Sequence, residues 1–314
     1  MTRPSSPDRT QRSAANATPE TVPARGAASL LLIRDADARL EVFALRRAGS
    51  MAFSAHATAF PGGRVDSGDA LPPELWRETD LHDWAERLGL AHTPQGAAST
   101  LAAQDPAEAA GMVLAATVRE TYEETGVLLA RDAATGDPVD PQRVAAWGDA
   151  PREDLEAHRL DFGTFLARED LLPDTGALAP WSRWITPVGG PRRYDTVFFV
   201  VALPEGQSPE RLSSEAASHG WASPDALLEQ FRAGTVNLMT PSWWQLRRLQ
   251  DAGDAGWAGI RDRAAEQPVR AVMLDPRAED HEREQEFCYA REYLADLRSF
   301  RANARVEESP DNVL

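Results

Sequence analysis

The chain reads as an α/β layered fold. Three observations point there. Short apolar runs at Ala28–Ile33, Leu40–Leu45 and Val197–Ala202 have the length and β-branched or aromatic content of strands. The long stretch from Pro106 to Thr125 has helical periodicity and stops at Gly126. Strand-like and helical segments alternate, which is the pattern of helices laid on a sheet.

The elements follow in order. The first 25 residues are rich in Pro, Ser, Thr and Ala without an apolar core, so 1–25 is read as a disordered tail. The two runs around Asp35–Ala38 suggest a hairpin. Thr58–Phe60 is a third short strand, stopped by Pro61, and Gly62-Gly63 permit a tight turn. Residues 70–107 are mixed in character, with Pro72-Pro73 and an expected helix over Glu74–Leu88, and read as an insertion. The next helix begins near Pro106 and runs to Gly126, which suits its C′ position. Pro141–Leu172 is charged, amphipathic and expected to be helical. Trp184–Pro187 and Tyr194–Leu203 read as strands, with a weaker one over Glu215–Trp221. Ser223-Pro224 and Thr240-Pro241 each supply an N-cap and a first-turn proline for helices over Asp225–Arg232 and Ser242–Leu249. The remainder to about Ala304 is expected to be mostly helical. The domain reading is a main unit over 26–235, a C-terminal helical extension over 236–305 and a tail over 306–314.

Composition bounds the function. The 314 residues carry a net charge of −16, which argues against nucleic acid as a partner. All 33 basic residues are arginine, which removes Schiff-base lysine chemistry and any Walker A loop. The single Cys288 excludes an internal disulfide and fits a reducing cytoplasm. No apolar run approaches the roughly 20 residues needed to span a bilayer, so no membrane partner is expected. The six histidines show no zinc spacing.

Glu120, Glu123 and Glu124 share one helical face, opposite Leu114, Ala115, Val118 and Tyr122. Like charges at this spacing cost roughly 0.2–0.5 kcal/mol per pair. A hard divalent cation such as Mg²⁺ would reverse that penalty; a solvated acidic face would accept it. The upstream run Ala59-Phe-Pro-Gly-Gly-Arg-Val-Asp-Ser-Gly-Asp69 supplies a glycine turn.

Together the two segments resemble the Nudix box: Gly, five residues, Glu, seven residues, then Arg-Glu-apolar-x-Glu-Glu-x-Gly-apolar. Gly63 matches the first glycine, and Arg119, Glu120, Glu123, Glu124, Gly126 and Val127 match the second half. This sequence departs from the pattern in three ways. Asp69 stands at the first glutamate, Thr121 replaces an apolar residue, and the 49 residues from Ala70 to Val118 replace the usual seven. The insertion resembles that of the mammalian peroxisomal coenzyme A diphosphatase type, as do Trp181-Ser-Arg-Trp-Ile-Thr-Pro187, Arg192-Arg-Tyr-Asp-Thr-Val-Phe-Phe199 and Trp221-Ala-Ser-Pro224. The resemblance covers roughly Ala27 to Leu249.

The resemblance implies an α/β/α sandwich with a mixed sheet, and metal-dependent hydrolysis of a diphosphate-linked substrate. Coenzyme A or an acyl derivative is the first expectation. ADP-ribose, a dinucleotide or a nucleoside triphosphate comes next, and a non-catalytic nucleotide sensor stays open. Glu120, Glu123 and Glu124 would bind Mg²⁺ or Mn²⁺ and, with Arg119 and Glu215, form the catalytic set. Asp69 would pair with Arg119, and Gly126 would end the helix. Gly62, Gly63, Arg47, Arg192 and Arg193 would contact substrate, the arginines suiting bidentate phosphate recognition. Trp181, Trp184 and Tyr194 are candidates for stacking on a base or for the core. The family's coenzyme A signature is half present: Leu45-Arg46-Arg47-Ala48 and Phe60-Pro-Gly-Gly63 fit its ends, while Ala52 and His56 stand at its arginine and glycine. The C-terminal Asp-Asn-Val-Leu is not a peroxisomal address, so a cytoplasmic location is expected. A homodimer is left open.

Overall fold

The computed structural model describes residues 22–36, 39–47, 57–94, 96–189, 192–209, 216–252, 256–266, 268–274 and 289–307. In chain order the strands are β1 (Arg25–Ala36), β2 (Arg39–Arg47), β3 (Ala57–Ala59), β4 (Gly62–Arg64), β5 (Ala130–Asp132), β6 (Leu171–Pro173), β7 (Ala179–Ile185), β8 (Tyr194–Ala202), β9 (Ala216–Ala222), β10 (Asn237–Leu238) and β11 (Ala271–Val272). The helices are α1 (Leu81–Arg87), α2 (Pro106–Thr125), α3 (Pro141–Ala146), α4 (Ala150–Glu156), α5 (Phe162–Arg168), α6 (Pro224–Arg232), α7 (Thr240–Ala252), α8 (Gly256–Ala265) and α9 (Ala290–Glu307).

One mixed sheet runs β10-β3-β2-β1-β8-β7-β11, with β4 beside β1 and β9 beside β2. β1 and β8 are parallel; β1 with β2, and β7 with β8, are antiparallel. β1 and β2 pair only near their hairpin, from Ile33↔Val42 to Ala36↔Arg39. Below it they part, and residues 57–64 fill the fork, with β3 on β2 and β4 on β1. That wedge places the Phe60-Pro61-Gly62-Gly63 turn inside the sheet, where Pro61 O accepts from Leu30 N at 2.8 Å.

β1 shows why the fold has three layers. Leu30, Leu31, Leu32 and Ile33 are all at most 1% exposed. A continuous apolar run in a strand is expected where both sheet faces are covered. Leu30 and Leu32 join a core with α2, while Leu31 and Ile33 join a second core with α6, α7 and α8. Each leucine so buried contributes about 1.5–3 kcal/mol.

Several elements differ from expectation. The helix over Glu74–Leu88 is divided: a 3-10 turn spans Pro73–Trp76, and α1 restarts where the Asp80 carboxylate accepts from the His82 and Asp83 N–H groups. Asp80 is an N-cap, and its side chain ends one segment by starting the next. The region 141–172 breaks into three short helices and then β6. The C-terminal part is not only helical, since β10 lies on β3 and β11 on β7. Strands of two residues carry no periodic signal, yet they cover sheet edges that would otherwise stay open. The chain is also anchored before residue 26. Ala24 N donates to Ala98 O at 2.7 Å, and Thr100 N donates to Ala24 O at 2.8 Å.

The insertion is tied to the sheet from beneath. Arg183 of β7 and Asp195 of β8 are fully buried and meet through two hydrogen bonds of 2.8 and 2.7 Å. Arg183 also donates to Gly89 O at 2.7 Å and to Thr93 Oγ1 at 3.0 Å, and the Ser99 hydroxyl donates to Asp195. A buried charge pair is tolerated when its remaining donors and acceptors are satisfied. Here residues of the insertion satisfy them.

Candidate active site on helix α2

α2 is a 20-residue helix with both ends specified locally. The Asp105 carboxylate accepts from the Ala107 and Glu108 N–H groups, Pro106 sits in the first turn, and Gly126 ends the helix at φ 78°. Val113, Leu114, Ala115, Ala116 and Val118 are fully buried, and Tyr122 stacks on Phe165 at 5.6 Å. Thr121, which stands where the box has an apolar residue, is also fully buried. Its hydroxyl donates to Thr117 O at 2.7 Å, so the polar atom needs no other partner.

The opposite face meets the glycine turn. Glu124 Oε2 accepts from Gly62 N at 2.8 Å. A Cβ at Gly63 would overlap the Glu120 carboxylate, so the turn lies directly against it. Gly62 holds φ 145°, and a Cβ there would strike the Ala28 carbonyl. Arg119 joins the halves of the box: its Nε and Nη2 donate to Asp69 at 2.8 and 3.0 Å, its Nη2 to Arg64 O at 3.1 Å and its Nη1 to Glu120 at 2.9 Å. Both Glu123 oxygens lie 3.4 Å from Arg119 Nη1. Asp69 reaches Arg119 despite its shorter side chain, because its carboxylate closes a capping box with Asp66 and is fully buried. The insertion therefore loops out and returns without separating the two halves.

Burial pushes the Glu120 carboxyl up to about 7, against the pull of Arg119 and aided by the charge of Glu123. Burial also raises Glu123, again opposed by Arg119. Burial works to lower Arg119, but the Asp69 hydrogen bond and the charges of Glu120, Asp69 and Glu123 outweigh it and keep the guanidinium charged. Among the described residues, no group of three or more His, Cys, Asp or Glu is gathered closely enough to hold a metal ion. Glu120, Glu123 and Glu124 lie on one face; Glu120 and Glu123 share Arg119 Nη1, while Glu124 accepts from Gly62 N. Their chemistry nonetheless fits a hard cation: three carboxylates supply hard oxygen donors, and a bound cation would oppose the burial that raises Glu120 and Glu123.

The other sequence-derived residues divide. Gly126 ends α2, as noted. Arg192 is exposed at the head of β8. Arg193 is 2% exposed, and its guanidinium donates to the main-chain carbonyls of Thr186, Pro187, Val22 and Ala97 at 2.6–3.1 Å. That corrects its expected phosphate contact, because the donors face the protein interior and brace the segment before β1 against the insertion. Trp181 and Trp184 are 1% and 5% exposed, so their rings are core and not a base-stacking surface. The Arg47 main chain ends β2 while its side chain lies outside the described residues, as do Glu215 and His56. Sequence reasoning missed Arg152 of α4. Its Nε and Nη2 donate to Tyr122 O and Glu123 O at 3.0 and 2.8 Å, which caps the end of α2 beneath the glutamates.

Residues 14–249 match the family described as NUDT19 Nudix domain. The chain belongs to that Nudix family. Acyl-coenzyme A diphosphatase NUDT19 of Gallus gallus is 32% identical over 271 residues, covering 72% of this chain and 68% of the relative. The Homo sapiens protein of the same description is 30% identical over 242 residues, covering 69% and 61%. A crystal structure of a Nudix hydrolase from Alicyclobacillus acidocaldarius is similar at 26% identity and TM-score 0.48, covering 72% of this chain and 90% of that one. In this Nudix chain the two halves of the box meet in space although they are far apart in sequence. No helix among the described residues is long and apolar enough to cross a membrane.

Gly63→Ala tests the contact between turn and helix. The added methyl displaces the Glu120 carboxylate, so turnover is expected to fall by a factor on the order of 10 or more, as for a misplaced reacting group. Wild-type kinetics in this variant would show that the turn tolerates displacement.

Proposed function

We propose that this chain hydrolyses a diphosphate linkage, X–O–P–O–P–O–Y, in a nucleotide-type substrate. Coenzyme A or acyl-coenzyme A is our substrate of choice, giving 3′,5′-ADP and the (acyl-)phosphopantetheine. The observation that carries the reading is the hydrogen bond from Gly62 N to Glu124, with Gly63 against Glu120: the glycine turn sits on the acidic face of α2. The names of the chicken and human relatives support the substrate.

In this reading Glu120, Glu123 and Glu124 hold Mg²⁺ or Mn²⁺. Such a cation, when bound, draws charge from phosphate oxygens and makes water a better nucleophile. Arg119 keeps the glutamate face turned toward the loop through its fork on Asp69. The glycines let the turn press against Ala28 and Glu120, which seats Glu120 and Glu124 against the turn backbone. Arg192 and Arg47 are the proposed phosphate contacts, and Glu215, which immediately precedes β9, is the proposed additional acid. A cytoplasmic location belongs to the same proposal, supported by the lone Cys288.

The test is a screen of coenzyme A, acyl-coenzyme A, ADP-ribose, NADH and nucleotides with Mg²⁺ and Mn²⁺, with products identified by mass. Release of 3′,5′-ADP supports the proposal. Preferential cleavage of ADP-ribose would move the substrate, and binding without turnover would leave a sensor.

Cation binding has its own signature. Glu120 is raised from the ordinary carboxylate value to about 7. The folded state then keeps a proton that the unfolded chain releases, so metal-free stability is fully present below the unfolded value and declines as pH rises through about 7. A bound divalent cation offsets the buried charge, so Mg²⁺ is expected to raise Tm more near roughly pH 8 than near about pH 5. Melting curves with an equal Mg²⁺ shift at both values would detach the cation from these carboxylates.

A further inference from the structure

We propose that His219, backed by Phe43 and Trp221, is the stacking platform for the substrate's purine base, an inference that rests on the diphosphate-hydrolase reading above. Directly paired strand residues project to the same sheet face. β9 pairs with β2 so that Trp221 lies opposite Phe43 and His219 opposite Leu45. Phe43 and Leu45 belong to the core shared with α2, so His219 and Trp221 stand on the sheet face that carries the glutamates. Leu45 is paired on its other side with Ala59. The row His219–Leu45–Ala59 therefore crosses two interstrand spacings, about 10 Å. Three residues beyond Ala59 is Gly62, bonded to Glu124. The row of about 10 Å ends at Ala59, so ribose and diphosphate together would have to cover it and the further three residues to Gly62.

The rings suit a base. Phe43 lies 5.4 Å from His219 at 49° and 5.4 Å from Trp221 at 62°, so His219 is held from behind by a buried ring. The Arg34 guanidinium covers Trp221 at 4.3 Å. Glu41 in turn accepts from Arg34 at 2.7 and 2.9 Å, which neutralises that charge and makes a phosphate a poor occupant. His219 is exposed. An exposed, supported aromatic ring beside a paired guanidinium matches the π-face of a base better than an anion or an aliphatic chain.

Two variants of the full-length protein test this. His219→Ala is expected to weaken AMP binding, measured by equilibrium dialysis without metal, roughly tenfold, and His219→Phe to restore most of it. In kinetics, His219→Ala should shrink the KM preference for an adenine-bearing diphosphate over a base-free ribosyl diphosphate diester by a similar factor. Equal KM increases for both substrates, or unchanged AMP binding, would overturn the platform. Failure of the wild type to cleave any diphosphate would instead count against the hydrolase reading, and the AMP measurement would still decide the platform.

Discussion

Glu124→Gln is expected to lower kcat by a factor on the order of 100 or more while leaving the fold intact. The amide oxygen still accepts from Gly62 N, which the Glu124 carboxylate now bonds at 2.8 Å, so the turn stays in place. What disappears is one negative charge on the face proposed to meet the phosphates. Glu123→Gln should behave similarly, since its carboxylate is buried beside Arg119. Steady-state kinetics with Mg²⁺, alongside melting curves, separate lost chemistry from lost structure. Near-normal turnover in both variants would remove these glutamates from the site.

Asp195→Ala is expected to give the largest loss of stability, about 3–5 kcal/mol, because it leaves Arg183 charged and buried without its counter-ion. Both side chains are fully buried. The loss extends to the insertion, whose Ser99 hydroxyl donates to Asp195 and whose Gly89 and Thr93 accept from Arg183. Denaturant unfolding measures the first effect. Protease sensitivity between residues 89 and 99, relative to a surface control, measures the second. A change below about 1 kcal/mol would show that solvent reaches the pair and screens it.

Much of the site was legible in sequence because its signals are local. The Asp105-Pro106 start and Gly126 stop bracket α2, and the i, i+3, i+4 spacing of the glutamates needs only helical geometry. The glycine pair likewise announces a turn. The pairing of Arg119 with Asp69 was expected from the box, but the roles of Arg183 and Arg193 were not legible. Nothing in the sequence context of those two reveals burial, yet one pairs with Asp195 and the other binds four carbonyls. Trp181 and Trp184 were equally ambiguous, because an aromatic ring serves a core or a ligand with the same chemistry. The division of Glu74–Leu88 was missed because Asp80 caps a helix only where the chain turns there.

Sequence alone determined the α/β class, the acidic helix and the presence of two box halves separated by 49 residues. Those features rest on periodicity, capping and backbone freedom, which act within a few residues. Only the tertiary structure decided that the halves meet, that the excursion is bolted to β7 and β8, and that His219 rather than Trp181 or Trp184 presents a ring on the face of the glutamates. Each of these depends on strand register and burial, which arise from contacts between residues far apart in the chain.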